Sequence, residues 1–333
     1  MRMTRLRLSL ACGDYDRTRP LVDGRVRPEG VDLTVLTLEP EEMFWRMLRH
    51  HEFDVSELSL SSYVVLASSA ESPFVALPVF PSRMFRHGAV YVNRHAGIRQ
   101  PSDLAGKKVG MGEYQLTANV WVRGILSEHY GVAIDSVSYV VGGLNQPGRE
   151  EKLPLRLPPG IDLQPCPPGK ALSEMLCSGE LDAIYSPRPP DCWLAGHPAV
   201  DRLFSDVRSV EQSFYRKTSI FPIMHLVVIR NDVYRADKWL ATSLTKAFDQ
   251  ALEISNQQLQ RRWAALAVSL PWAFEELRET QALMGEQFWT YGLKGNYEVL
   301  ETFCRYSFEQ GLSATLMKPE QLFAPEALEV AVI

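Results

Sequence analysis

Arginine recurs beside polar or aromatic neighbours at four places where an apolar run gives way to a loop. These are Tyr15-Asp16-Arg17-Thr18-Arg19, Ser82-Arg83-Met84-Phe85-Arg86-His87, Trp121-Val122-Arg123 and Tyr185-Ser186-Pro187-Arg188. A guanidinium grips a carboxylate through two parallel hydrogen bonds, and aromatic faces stack on planar rings. Loops of this kind brought together would receive an aromatic or otherwise planar polyanion; apart, the same arginines would be solvated or paired with surface carboxylates. Arg83 and Arg86 favour the first reading, being three apart and bracketed by Phe80, Phe85 and His87. Two histidines could move a proton. His87 lies among arginines and His225 inside the apolar run IFPIMHLVVI (Ile220–Ile229), and like-charge repulsion or burial favours the neutral ring in each. A core histidine bonded to a carbonyl is the competing reading of His225. Glu57, by an apolar strand, is a candidate acid or hydrogen-bond partner. Thr117 opens a helix whose free amides could hold an anion, or simply caps it.

Other chemistries are excluded by spacing. GMGEY (Gly110–Tyr114) lacks the third glycine of a dinucleotide loop, and no Gly-x-Ser-x-Gly elbow or Walker loop occurs. No His-x-His or HExxH pair is present, and the adjacent His50 and His51 suit a helix terminus; the sequence indicates no metal, and a divalent ion is left open. Five cysteines without paired spacing argue against a disulfide framework or zinc knuckle. A net charge of −5, from 35 basic and 40 acidic residues, gives no general attraction to nucleic acid or anionic membranes. The apolar run after Arg7 is shorter than the roughly 7–15 residues of a secretory core, and no stretch approaches the ~20 apolar residues that span a bilayer. A cytoplasmic location is expected, with no membrane or nucleic-acid partner; a homo-oligomeric state is left open.

The elements that must position these side chains show themselves in a repeat. Met47, Leu48, Glu52 and Asp54 recur in order and spacing as Met175, Leu176, Glu180 and Asp182. Each copy closes an apolar helix and leads through Glu-apolar-Asp into a short strand, Asp54–Leu58 or Asp182–Tyr185, then into a polar loop. Helix, strand, then loop is the half-unit of an open α/β sheet, where ligands gather beyond the carboxyl ends of strands. At 333 residues and 46% apolar composition the chain suits two domains. Two α/β lobes facing across a cleft are expected, with 1–92 and 223–333 in one and 93–222 in the other. Gly142–Gly169, rich in Pro and Gly, is expected to be irregular. From Asp237 onward helices are expected, through Ala267, Pro271–Tyr291 and Asn296–Gln310.

Seven strings resemble the 4,5-dihydroxyphthalate decarboxylase family. They are ACGDYDRTRPL (Ala11–Leu21), EEMFWRML (Glu41–Leu48), EFDVSELSLSSY (Glu52–Tyr63), VFPSRMFRH (Val79–His87), LAGKKVGMGEYQLTANVWVRGIL (Leu104–Leu126), GELDAIYSPRPP (Gly179–Pro190) and KTSIFPIMHLVVIRNDVY (Lys217–Tyr234). Gly142–Pro168 finds no match. The resemblance implies a two-lobed type 2 periplasmic-binding-protein-like fold with an interlobe cleft and hinge, and decarboxylation of a small aromatic carboxylate, 4,5-dihydroxyphthalate, to protocatechuate. No organic cofactor is expected. Fitted to that chemistry, Arg83 and Arg86 would clamp a spectator carboxylate with Arg17 and Arg123 reaching from other loops. His87 or His225 would donate a proton and Glu57 would engage a phenol. Thr117, Trp121, Tyr185 and Arg188 complete the expected substrate-binding set. The competing readings are a non-catalytic carrier of an aromatic or sulfonate-like anion, and a different lyase or isomerase of a related aromatic acid.

Overall fold

A computed structural model describes residues 5–69, 72–260 and 268–328. The chain forms two compact units. Met1–Arg83, Ile223–Glu301 and Met317–Ile333 make the first; Met84–Pro222 and Thr302–Leu316 make the second.

The first unit is built on strands β1 (Leu6–Cys12), β2 (Val31–Thr37), β3 (Val55–Ser59), β4 (Phe74–Arg83) and β11 (Ile223–Arg230), in the order β2-β1-β3-β11-β4. β1 runs parallel to β2 and β3, whereas β11 is antiparallel to both β3 and β4. The carboxyl ends of β1, β3 and β4 therefore share one edge of the sheet with the start of β11. Every residue of β3 is buried, as expected for a central strand covered on both faces. Leu10, Val55, Leu77, Val79, Val227, Ile229 and, from helix Trp239–Gln260, Leu244 and Phe248 form the core. Helix Pro40–His50 begins on a proline with Glu41 and Glu42 in its first turn and Arg49 and His50 in its last. That arrangement complements the helix dipole, and Met43, Phe44 and Met47 are its buried face.

The second unit holds the strands β5 (Val90–Asn93), β6 (Lys108–Met111), β7 (Ser138–Val141), β8 (Leu163–Pro165), β9 (Ala183–Tyr185) and β10 (Val200–Arg202), ordered β10-β5-β9-β6-β7-β8. β6 is parallel to β7 and β9; β5 is antiparallel to β9 and β10. Helix Thr117–Tyr130 is buried from Thr117 through Leu126. Its Gly124 faces the Tyr306 ring, which a Cβ there would meet at 2.1 Å.

Both copies of the sequence repeat become helix then central strand: Pro40–His50 into β3, and Leu172–Ser178 into β9. The repeated aspartates do the same work. Asp54 Oδ2 accepts from Ser9 N–H (2.9 Å) in the neighbouring β1, and Asp182 Oδ2 from Lys108 N–H (2.8 Å) in the neighbouring β6. The lobe boundaries expected from sequence shift in two places. Residues 84–92 go with the second unit, because β5 pairs there with β9 and β10. Thr302–Leu316 goes there too, because Phe303 and Tyr306 pack on Trp121. The helix expected over Pro271–Tyr291 spans only Ala273–Met284. Of the helix expected through Ala267, residues 261–267 lie outside the described residues.

Candidate active site

On the first unit's carboxyl edge, register places Glu57 of β3 opposite Val227 and Ser59 opposite His225. Alternation along a strand puts Glu57 and His225 on one face as diagonal neighbours. The pairing of β11 with β4 slips on either side of His225, the kind of irregularity that re-aims a side chain. His225 Nδ1 lies 2.6 Å from Glu57 Oε1. The same carboxylate accepts from Tyr15 O–H (2.9 Å) and, through Oε2, from Gly13 N–H (2.9 Å), both in the loop after β1. Burial alone would raise the Glu57 pKa, but the bonds and charge of His225, with Gly13 and Tyr15, outweigh it and hold the carboxyl below its usual range. An ionised Glu57 can only accept, so Nδ1 carries a hydrogen and Nε2 is left as the exchanging nitrogen. Nε2 has no hydrogen-bond partner among the described residues, and the side chain keeps 16% exposure while Glu57 has none. Phe44 meets the imidazole edge-on at 4.8 Å.

Tyr15 is folded back over Gly13, where a Cβ would meet its ring at 2.4 Å. Burial first, then Glu57, pushes the Tyr15 phenol far above its normal range, so it stays a donor. Arg17 lies between two rings, 4.4 Å from the Tyr15 centroid and 4.0 Å from that of Trp289. Its Nε donates to Pro81 O (2.5 Å) and its Nη1 to Asp16 (3.0 Å), which leaves Nη2 without a hydrogen-bond partner among the described residues. Arg83, buried at the end of β4, donates Nη2 to Thr290 O (2.8 Å) and to Asn296 Oδ1. The structure thus brings Arg17, Glu57, Arg83 and His225 together on the first unit, but Glu57 faces protein donors instead of standing open for a phenol. Gly13, Trp289, Thr290 and Asn296 escaped sequence reasoning, and the bond from Tyr15 to Glu57 was not foreseen. Tyr15 stood inside the arginine motif as a signal; the C-terminal residues, in a stretch expected to be helical up to Tyr291, had none.

The second unit carries the remaining expected residues, several in roles other than those expected. His87 is buried against Tyr130, Phe204 and Phe214, and neither ring nitrogen has a hydrogen-bond partner among the described residues. Burial, then His129, pulls its pKa down to about 4; a proton donor at neutral pH is not what this setting makes. Arg86 is buried, its guanidinium pulled to about 10 by burial with Glu211 opposing. Arg123 is spent inside the unit: Nε on Gln310 Oε1 (2.8 Å), Nη2 on Tyr114 O (2.7 Å), its guanidinium 3.7 Å over the Tyr114 ring. Trp121 is fully buried core, and Tyr185 is sealed at the end of β9. In this structure the contacts of Arg123 are to Gln310 and Tyr114, and Trp121 packs on Phe303 and Tyr306. Thr117 is the buried first residue of its helix, and Arg188 is an exposed residue of the loop after β9. The segment Gly142–Pro168 clasps the loop after β6. Arg149 (2.8 Å) and Lys152 hold the buried Glu113, and Glu151 accepts from Tyr114 N–H. Burial, with Glu113 adding, pushes Glu151 up to about 7.

No helix among the described residues is long and apolar enough to cross a membrane. No family model matches the chain. Among solved structures it resembles the periplasmic aliphatic sulphonate binding protein SsuA of Escherichia coli, at a TM-score of 0.53 and 10% identity over 97% of this chain and 98% of that one. It also resembles the desulfurization enzyme DSZB, at 0.51 and 15% over 97% and 98%. The class is accordingly a two-lobed α/β protein of the type 2 periplasmic-binding-protein-like fold. Curated relatives narrow this further. A 4,5-dihydroxyphthalate decarboxylase of Comamonas testosteroni is 43% identical over 98% of this chain and 99% of its own length; one of Pseudomonas putida is 48% identical over 65% and 84%. The chain belongs to the 4,5-dihydroxyphthalate decarboxylase family.

Proposed function

We propose that this protein is a carboxy-lyase that converts 4,5-dihydroxyphthalate to protocatechuate and carbon dioxide. The observation that carries the reading is the 43% identity, over nearly the whole chain, to a decarboxylase of that name. The Glu57–His225 pair supplies a chemical rationale.

Direct loss of carbon dioxide would leave an aryl carbanion, so the ring carbon must be protonated before the carbon–carbon bond breaks. The hydroxyl para to the departing carboxylate pushes electrons to that carbon. In the doubly protonated imidazole, Nδ1–H stays on Glu57 and Nε2–H is the proton transferred. Glu57 fixes the ring and stabilises its charge before transfer, the part a carboxylate plays behind a catalytic histidine. Carbon dioxide then departs, and the bond's electron pair restores the aromatic ring. Arg17, held between Tyr15 and Trp289 with Nη2 uncommitted, suits the spectator carboxylate. Arg83 supports that face by fixing the 290–296 segment.

The test is incubation with 4,5-dihydroxyphthalate while following carbon dioxide and protocatechuate together. Stoichiometric release of both is expected. Tight binding without turnover would transfer the protein to the carrier reading.

A further inference from the structure

The segment after helix Ala273–Met284 lies along β4. Gly292 N–H donates to Pro78 O (2.7 Å), Trp289 Nε1 to Phe80 O (3.1 Å), and Thr290 O receives Arg83. Between these anchors stands Tyr291, its ring 6.5 Å from that of Phe80. Its hydroxyl is shut from solvent and has no hydrogen-bond partner among the described residues. Burial holds the phenol un-ionised; Arg17 and Arg83 pull against it, while Asp249 and Glu57 reinforce it. Its chain neighbours reach the candidate site directly, Trp289 stacking on Arg17 at 4.0 Å and Thr290 O receiving Arg83 Nη2 at 2.8 Å, so Tyr291 stands beside that site.

Most buried hydroxyls are bonded, and one left unmet carries the full cost of its lost hydration. A phenylalanine would avoid that cost, so a tyrosine at this position points to a partner that arrives with the ligand. Glu57 was the expected partner of a substrate phenol, but it already accepts from Gly13, Tyr15 and His225 with no exposure. Arg17 and Arg83 only donate, which suits carboxylates. A tyrosine hydroxyl both donates and accepts, and so does a ring hydroxyl. We infer that Tyr291 hydrogen-bonds a ring hydroxyl of the substrate and is what distinguishes 4,5-dihydroxyphthalate from phthalate. The inference rests on the decarboxylase reading for the identity of the ligand.

Tyr291→Phe tests it, with calorimetric affinities for 4,5-dihydroxyphthalate and for phthalate measured in a His225→Gln background to prevent turnover. Loss of one hydroxyl should weaken 4,5-dihydroxyphthalate at least tenfold, leave phthalate within twofold, and leave the melting temperature equal or higher. A site built to bond a hydroxyl discriminates in this way. Equal effects on both ligands, no effect on either, or a wild-type chain that prefers phthalate would overturn the inference. Normal discrimination in a wild-type protein that never releases carbon dioxide would instead defeat the decarboxylase reading alone.

Discussion

The proton chemistry rests on one nitrogen. Glu57 fixes His225 through Nδ1, so Nε2 is the end that can meet a ring carbon. Replacing His225 by Gln keeps a polar side chain of similar reach but removes the transferable proton. A fall in kcat of about 10²–10⁴ is expected, the usual worth of a general acid, with phthalate affinity within a few-fold. Single-turnover kinetics beside calorimetry check it, and an unchanged rate would remove His225 from the mechanism. The types of these residues were legible in the sequence, because arginine, histidine and carboxylate beside aromatic groups announce themselves. Their duties were less so. Burial decides which arginine is spent on its own protein, and burial depends on partners such as Gln310, 187 residues from Arg123. His87 and His225 look alike on paper; a carboxylate 2.6 Å away separates them.

Helix–strand order was readable because hydrophobic periodicity and the repeat both report local geometry. What the repeat encodes is a clip between neighbouring strands. Removing Asp54 leaves Ser9 N–H and Oγ without their acceptor, and removing Asp182 does so for Lys108 N–H. Asp54→Ala and Asp182→Ala should each cost about 1–3 kcal/mol in urea denaturation; no loss in either would mean that the shared pattern is accidental. The loop after β1 is less forgiving. A methyl group at Gly13 would strike the Tyr15 ring at 2.4–2.6 Å, driving the phenol away from Glu57. Gly13→Ala should therefore lower kcat/KM at least tenfold even where the protein remains folded, with Gly13→Ala/Tyr15→Ala showing no further loss. A normal rate in the single variant would show that Tyr15 does not organise Glu57. The segment 285–296 was not legible at all. It has no periodicity, and its value lies in bonds to Phe80, Arg83 and Pro78, some 200 residues earlier.

For the whole chain, stability should depend on pH through two groups of the second unit that pull in opposite directions. His87 titrates near 4 when folded, because it is buried, against 6.5 for the free side chain. Between those values the folded chain binds fewer protons than the unfolded one, so stability is intact above pH 6.5 and falls as pH drops toward 4. Glu151 is raised to about 7 from 4.5, so in that interval the folded chain holds the extra proton and stability falls as pH rises instead. Each effect is bounded at about 3 kcal/mol by the size of its shift. His87→Phe, which suits the aromatic surroundings of Tyr130, Phe204 and Phe214, should flatten the acid side of the profile. Glu151→Gln should raise stability at pH 8 and change little at pH 4.5. Urea titrations of the three proteins at pH 4.5, 6 and 8 separate the two contributions. Parallel profiles for wild type and His87→Phe would mean that the histidine is hydrated in solution, and its burial would then not explain the missing partners at its two nitrogens.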